Sequence, residues 1–350
     1  MRGFVPVPPA SEPLYKVRPM NPQSTPSRRR IPQLHLSDLA GGAASRSRFI
    51  QALGAALREF GFVSIVDHGV DDGLIRRTYA DVASFFALPE PIKRRYQVPG
   101  GSGQRGYTGF GEEHAKNRTI GDLKEFWHVA RELPAGHPRL SKVGGNVWPE
   151  EVPSFCSNTL ALFQALDRVA AELLGAIGQY LGLKEDRLPA MAADGNSILR
   201  LIRYPPLRER FIPGAVRSAE HEDINLITLL CEGTASGLEI LTRDGEWLPV
   251  ETGPGQIVVD TGDMLSRITN GELPATTHRV VNPPSAEQDG VRYSMPFFVH
   301  PYPDCELRVL PQTVRPDRPA RFPPITADAF LAERLREIGL SRDRFVSSHE

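Results

Sequence analysis

The segment from residue 197 to residue 299 constrains the fold most, because it consists of short β-prone runs that are broken by turn residues. The breaks include Gly253-Pro-Gly255, Asn270-Gly271 and Asn282-Pro-Pro284. Many short strands separated by such turns are typical of a β-sandwich or a β-barrel. The sequence therefore predicts a mainly β core in this part of the chain.

Helices are predicted on both sides of this β segment. Apolar residues recur at helical spacing between residues 49 and 60, and Asp71 or Asp72 can cap a second helix. A longer apolar stripe spans residues 153–183, and we interpret it as a core helix that braces one sheet. Thr326 begins a final predicted helix.

A His-x-Asp pair, His221 and Asp223, is followed at long range by His278. Two imidazoles and one carboxylate are the ligand set of a mononuclear non-haem iron(II) site, which leaves the opposite face of the metal open. In an extended strand, residues i and i+2 point the same way, so the pair can reach one ion together. The β-prone run 224–230 places the pair at the start of a strand.

A second pair with the same spacing, Arg292-x-Ser294, lies in the apolar run 291–299. A guanidinium and a hydroxyl that emerge side by side from a strand can hold a carboxylate by charged hydrogen bonds. An anion-binding pair near an iron site is suited to a 2-oxo acid. One end of such an acid can bind the metal through two oxygen atoms, and its far carboxylate can bind the Arg.

Each of these patterns also has a common structural explanation. A lone His-x-Asp is usually a surface pair, and Arg292 could pair with an acid on a neighbouring strand. Their combination and order favour the metal site. A zinc hydrolase is disfavoured because no general base lies beside the ligands in sequence. The G-x-G-x-x-G run that starts at Gly101 follows a predicted helix and Pro99, so we interpret it as a flexible loop without nicotinamide or flavin binding.

The chain resembles the isopenicillin N synthase-like branch of the iron(II)/2-oxoglutarate-dependent oxygenases, as a bacterial-type member, over about residues 31–340. The motifs that carry the resemblance are Ile31-Pro-Gln-Leu-His-Leu-Ser-Asp-Leu39, Glu59-Phe-Gly-Phe-Val-Ser-Ile-Val-Asp67-His68-Gly69-Val70, Leu199-Arg-Leu-Ile-Arg-Tyr204-Pro-Pro206, Gly237-Leu-Glu-Ile240, Gly245-Glu-Trp-Leu-Pro-Val250, Gly262-Asp263-Met-Leu265 and Thr277-His278-Arg-Val-Val-Asn282. The resemblance implies an α+β fold with a mainly β core, a double-stranded β-helix (jelly-roll) barrel braced by helices, and an N-terminal α/β region.

The resemblance also implies the roles of the site residues. His221, Asp223 and His278 would bind Fe(II), and Arg292 and Ser294 would bind the distal carboxylate of 2-oxoglutarate. Tyr204 would be a further contact of this cosubstrate. Ile202 stands where plant members carry an Asn near the cosubstrate, which removes one expected hydrogen bond.

The implied reaction is the oxidation of an unactivated C–H bond in a small molecule by O2, with hydroxylation as the default and with release of succinate and CO2. Two alternatives remain open: an iron-dependent oxidase of this fold that does not use 2-oxoglutarate, and a catalytically silent metal-binding protein. Candidate substrate contacts are Phe298, Asn225, Arg105 and Tyr107.

The implied organisation has five parts. They are a Pro- and Arg-rich extension (1–30), an N-terminal oxygenase region (31–134), a bracing helical segment (135–194), the jelly-roll core with the site (195–305) and a C-terminal segment with a helix (306–350). We interpret the first part as a solvated, poorly ordered extension rather than as a targeting or nucleic-acid-binding tail.

Composition limits the partners. The 41 basic and 42 acidic residues leave a formal net charge of −1, so no whole-chain field attracts nucleic acid or a membrane surface. Three cysteines without a C-x-x-C pattern favour reduced thiols and a cytoplasmic location. No apolar run approaches the length of a membrane span, and early prolines break any signal-peptide core. The identity of the substrate and the oligomeric state do not follow from the sequence.

Overall fold

The computed structural model describes residues 29–101, 103–116, 120–140, 145–210, 212–285 and 289–340. The predicted N-terminal extension therefore lies outside the described residues, except for its last two positions. The described strands are β1 (Gln33–His35), β2 (Phe62–Val66), β3 (Gly106–Thr108), β4 (Glu125–Ala130), β5 (Ile198–Tyr204), β6 (Ser218–His221), β7 (Ile227–Cys231), β8 (Leu238–Leu241), β9 (Trp247–Pro249), β10 (Ile257–Thr261), β11 (His278–Val280), β12 (Arg292–Ser294) and β13 (Pro296–Val299).

These strands form two sheets. The larger sheet has the order β1-β2-β10-β7-β13-β5-β4-β3, with β12 also paired to β5, and the smaller sheet has the order β6-β11-β8-β9. Every pairing of these strands is antiparallel except that of β1 with β2. Consecutive strands alternate between the sheets from β5 to β8, as the predicted jelly roll requires.

Helices cover the larger sheet and the ends of the barrel. They are α1 (Ala43–Phe60), α2 (Asp72–Phe86), α3 (Glu90–Arg94), α4 (Phe155–Tyr180), α5 (Arg187–Ala192), α6 (Asp263–Ile268) and α7 (Ala327–Glu337), with 3-10 turns at Leu36–Ala40 and Pro311–Thr313. The predicted bracing helix is α4, which buries Leu166, Leu173 and Ile177 completely. Its Phe163 packs edge-on against Phe297 of β13 at a ring-centroid distance of 4.8 Å. Burial of each such side chain contributes roughly 1.5–3 kcal/mol, so α4 anchors the sheet that carries the candidate site.

The helix boundaries follow from local chemistry. Helix α1 ends at Gly61, whose φ of 66° is the left-handed conformation that glycine adopts without strain. Thr326 caps α7 by accepting a hydrogen bond from the Ala329 N–H, as predicted. No helix in the described ranges is long and apolar enough to cross a membrane.

The cap of α2 provides a test of the fold. The Asp71 carboxylate accepts hydrogen bonds from the N–H groups of Gly73 at 2.8 Å and Leu74 at 3.0 Å. We expect Asp71→Ala to lower the free energy of unfolding by about 1 kcal/mol, because both N–H groups lose their acceptor. Denaturant titration measures the change. Asp72→Ala is the control; it keeps the cap and should lose less than half as much.

Candidate active site

The three predicted metal ligands converge at the junction of the two sheets. His221 is the last residue of β6 and His278 is the first residue of β11, and the two are paired across the smaller sheet. Asp223 Oδ1 lies 3.7 Å from the Nε2 atom of each imidazole. One ligand atom from each of the three side chains lies within 4.8 Å of the others, a spacing that could hold one metal ion.

The path of the chain at Asp223 differs from the prediction. We expected His221 and Asp223 at the start of one strand, but β6 ends at His221 and β7 begins only at Ile227. Between them the chain passes from the smaller to the larger sheet. The Asp263 N–H donates to the Asp223 carbonyl at 2.8 Å, and this bond fixes the crossing. The Asp223 carboxylate therefore reaches the imidazoles from a connecting loop. It does not do so as residue i+2 of the strand that carries His221.

Both imidazoles present Nε2 to the common point. His221 Nδ1 lies 2.7 Å from the Ala219 carbonyl, and His278 Nδ1 lies 3.1 Å from the Thr276 carbonyl. A carbonyl only accepts, so each Nδ1 carries the proton and each Nε2 keeps its lone pair for a ligand bond. Burial, followed by the proximity of His278, lowers the pKa of His221 to about 4. The imidazole is therefore neutral at physiological pH, which is the form that binds metal.

The Asp223 carboxylate is oriented by Thr228, a residue that the sequence analysis did not identify. The Thr228 hydroxyl donates to Asp223 Oδ2, and the Asn225 amide donates to the Thr228 oxygen at 2.8 Å. These bonds leave Oδ1 facing the imidazoles. Asn225 is completely buried. The structure thus places Asn225 behind the ligand set and not, as we predicted, in the substrate cavity.

A first cavity of about 520 Å³, including its opening, extends from the three predicted ligands to the predicted anion clamp. Strand β12 pairs with β5, so that Arg292 lies opposite Tyr204 and Ser294 opposite Ile202. All four residues line this cavity. The Arg292 guanidinium lies 5.0 Å from the centre of the Tyr204 ring. The two predicted pairs therefore face one common cavity.

The far end of this cavity is suited to an anion. Arg292 Nε donates to the Ala235 carbonyl at 3.0 Å, but its Nη1 is buried without a hydrogen-bond partner among the described residues. Arg217 is also buried nearby, and burial, followed by the charge of Arg292, lowers its pKa. Two buried guanidinium groups that repel each other are stabilised by a bound carboxylate.

A second cavity of about 690 Å³, including its mouth, lies on the other side of His221 and Asp223. It shares Lys124 and Phe298 with the first cavity, so Phe298 lines both spaces, as its position on the strand face predicted. Leu331 and Leu335 of α7 form part of its wall. The candidate ligand set therefore lies where an anion cavity and a second cavity meet.

Two other predicted substrate contacts are not among the described residues that line this cavity. Arg105 is buried and donates to the Gln104 carbonyl at 2.6 Å and to the Asn196 side chain at 2.8 Å. Tyr107 donates to the buried Glu125 carboxylate at 2.6 Å. Burial, together with Glu125, raises the pKa of Tyr107 well above its ordinary value. These interactions tie each side chain to protein groups.

The second cavity instead has a polar wall that the sequence analysis did not predict. Apart from the predicted ligands, its polar members are Gln104, Glu113, His114, Asp122, Lys124, His128, Arg200, Glu222 and His300. Lys124 immediately precedes β4, and His128 lies within it. The sequence signal for this wall would have been charged residues in or next to segments that are predicted to be buried strands. Charged side chains are buried only when they are paired, so such residues indicate a polar network.

Two family models match the chain. The model described as non-haem dioxygenase in morphine synthesis N-terminal matches residues 31–151, and the model of the 2OG-Fe(II) oxygenase superfamily matches residues 195–301.

Three relatives illustrate the similarity. A solved 2OG-Fe(II) oxygenase family protein from Caulobacter crescentus is 43% identical, with a TM-score of 0.78 and coverage of 89% of this chain and 99% of that chain. The 2-oxoglutarate-dependent dioxygenase citB of Monascus ruber is 32% identical and covers 79% of this chain and 85% of its own length. A full-length Neurospora crassa protein, solved in complex with alpha-KG and thymine, is 26% identical, with a TM-score of 0.77 and coverage of 87% of this chain and 96% of that chain.

The jelly-roll fold and the two cavities at the His-Asp-His cluster are those of a non-haem iron oxygenase. The chain belongs to the isopenicillin N synthase-like family of 2-oxoglutarate- and iron(II)-dependent oxygenases. It is a dioxygenase that uses Fe(II), 2-oxoglutarate and O2, and hydroxylation is the reaction that its relatives support. The predicted fold class and cofactors are confirmed.

Proposed function

We propose that His221, Asp223 and His278 bind the iron(II) ion, and that Arg292 and Ser294, with Tyr204, bind the distal carboxylate of 2-oxoglutarate. The second cavity then receives the small molecule that is hydroxylated. One observation carries this proposal: His221 and Asp223 line both cavities, and the first cavity also includes His278 and extends to a buried guanidinium nitrogen without a partner among the described residues.

The residues fit the groups that they would hold. Two imidazoles whose Nδ1 atoms are held by backbone carbonyls and one carboxylate are a ligand set for iron(II), and the unpartnered Arg292 Nη1 fits a carboxylate. When bound, the iron and 2-oxoglutarate supply the oxidant for the C–H bond and release succinate and CO2. The protein positions both ligands, and Leu331 and Leu335 shield the second cavity from water.

The substrate is a small molecule in this proposal. The second cavity is lined by polar and apolar side chains beside the predicted ligands, the kind of lining that small-molecule sites have. The Neurospora crassa structure with thymine supports a small-molecule substrate. A cytoplasmic location remains part of the proposal, supported by three free cysteines, all of which lie in the described residues.

The test is succinate formation from 2-oxoglutarate. The enzyme is loaded anaerobically with iron(II) and exposed to O2 with a metabolite library, and succinate and O2 uptake are measured. We expect a slow basal rate and stimulation by one class of metabolites. Absence of succinate under every condition, with the metal bound, would refute the proposal. An anaerobic crystal soak with manganese and 2-oxoglutarate would place both ligands directly.

Thr228→Val should lower metal affinity by about 10- to 100-fold, because valine has the same shape but cannot hold Asp223 Oδ2. Calorimetric titration with Mn²⁺ measures the change. The control is Thr242→Val, which removes a threonine hydroxyl that bonds the Glu246 backbone and none of the predicted ligands. An unchanged affinity in Thr228→Val would show that Thr228 does not orient the carboxylate.

A further inference from the structure

Four charged side chains along the wall of the second cavity form one continuous series of ion pairs; Glu113, Asp122 and Lys124 are buried, and Arg200 is partly buried. Lys124 Nζ lies 2.8 Å from Asp122 Oδ2 and 2.6 Å from Glu113 Oε1. Glu113 also accepts two hydrogen bonds of 3.1 Å from the Arg200 guanidinium. Two cations and two carboxylates therefore compensate one another, and their formal charges sum to zero.

The pKa values of Glu113 and Lys124 agree with this balance of charges. Burial alone would raise the pKa of Glu113, but Arg200 and Lys124 outweigh it and the pKa lies below its ordinary value. Burial would lower the pKa of Lys124, but Asp122 and Glu113 outweigh it and the pKa is raised. The carboxylate of Glu113 and the ammonium group of Lys124 are therefore both ionised at neutral pH.

Two histidines of this wall, His128 and His300, are neutral. Arg200 Nε donates to His128 Nε2 at 2.6 Å, so this nitrogen carries no proton. Burial, followed by the charge of Arg200, holds the pKa of His128 well below its ordinary value. Burial also lowers the pKa of His300 to about 4. The ion-paired part of the wall thus offers hydrogen-bonding groups but no net charge, and the further lining residue Glu222, which is exposed, adds no positive charge.

Arg200 is the donor group of this wall. Its guanidinium lies against two aromatic rings, 4.2 Å from the centre of Phe126 and 5.1 Å from that of Phe298. Three of its five N–H groups are used by His128 and Glu113. The remaining two can donate to an acceptor on a ligand. The apolar lining of the cavity includes Leu331, Leu335 and Ile338.

We propose that the second cavity selects an uncharged, carbonyl-bearing small molecule, such as a primary amide or a lactam, whose oxygen accepts from Arg200 while its apolar part packs against Phe298 and α7. This inference rests on the proposed function of the site. A free carboxylate would compete with Glu113 for a guanidinium that is already neutralised. It would add an uncompensated charge to a buried wall, which costs binding free energy.

The experiment uses matched probes. Binding to the anaerobic enzyme loaded with Mn²⁺ and 2-oxoglutarate is measured by calorimetry for benzamide against benzoate, nicotinamide against nicotinate, and 2-pyrrolidone-5-carboxamide against 2-pyrrolidone-5-carboxylate. We expect the uncharged member to bind at least about tenfold more tightly in each pair that binds. A preference for the charged member, or no uncharged probe with a Kd below about 10 mM, would overturn the inference.

Two variants test the charge argument itself. Glu113→Gln leaves the wall with one net positive charge, and it should shift the preference toward the carboxylate at least about tenfold. Arg200→Gln leaves one net negative charge and should shift it the opposite way. The control is Glu306→Gln, an exposed residue paired with Arg308, which should leave the ratio unchanged. Equal ratios in all four proteins would overturn the inference.

Failure of this inference can be told from failure of the proposed function. Basal succinate formation from iron(II), 2-oxoglutarate and O2 is measured first, without any probe. If it occurs, the oxygenase site stands, and the probe series reports only on the substrate class. Circular dichroism of each variant confirms that the replaced charge has not unfolded the chain.

Discussion

Asp223→Ala is expected to lower turnover by at least about a thousandfold, which corresponds to roughly 4 kcal/mol of activation free energy. The carboxylate is the only anionic member of the proposed ligand set, and its Oδ1 lies 3.7 Å from both imidazole Nε2 atoms. Its removal leaves two neutral ligands for a doubly charged ion. The loss should therefore appear first in metal affinity.

Calorimetric titration with Mn²⁺ separates this effect from misfolding. We expect the affinity of Asp223→Ala to fall by at least about a hundredfold while the circular dichroism spectrum is retained. Asp244→Ala, which removes an exposed carboxylate from a surface pair with Arg29, is the control and should bind as the wild type does. Wild-type metal affinity in Asp223→Ala would place the ion elsewhere.

Arg292→Ala is expected to raise the KM for 2-oxoglutarate by about 30- to 100-fold, that is, by roughly 2–3 kcal/mol, the range for hydrogen bonds to charged groups. The basis is the buried Nη1 that lacks a partner among the described residues at the end of the first cavity. Metal affinity should not change. Arg217 lies close by, and its positive charge repels that of Arg292. Because the substitution removes this repulsion, we expect the ligand-free protein to keep its thermal stability.

Steady-state succinate formation at varied 2-oxoglutarate measures this effect. Arg308→Ala, which removes an exposed arginine of a surface ion pair, is the control. The same variant separates the enzyme from an oxidase of this fold that needs no 2-oxo acid, because only an enzyme that uses the clamp should depend on Arg292. An unchanged KM would show that the cosubstrate carboxylate binds elsewhere.

The sequence predicted the features that depend on local pattern. The caps at Asp71 and Thr326, the bracing helix and the β12 pair Arg292 and Ser294 all follow from spacing and residue type. The grouping of the three predicted ligands followed from the family pattern, and the structure brings them together.

The features that were missed depend on tertiary contacts. The strand placement of Asp223 was wrong because the crossing between sheets is fixed by a backbone bond from Asp263, far along the chain. The polar wall joins Glu113 to Arg200, which lie 87 positions apart. Strand β4 is buried at all six positions, so it lacks the alternation that would have marked its inward side chains.

Phe298 and Lys124 belong to the walls of both cavities, and this has a thermodynamic consequence. If 2-oxoglutarate shifts either side chain, it changes the affinity for the molecule to be oxidised. Linkage then requires that molecule to change the affinity for 2-oxoglutarate by the same factor. The occupancy of each cavity would thus depend on the concentrations of both 2-oxoglutarate and the molecule to be oxidised.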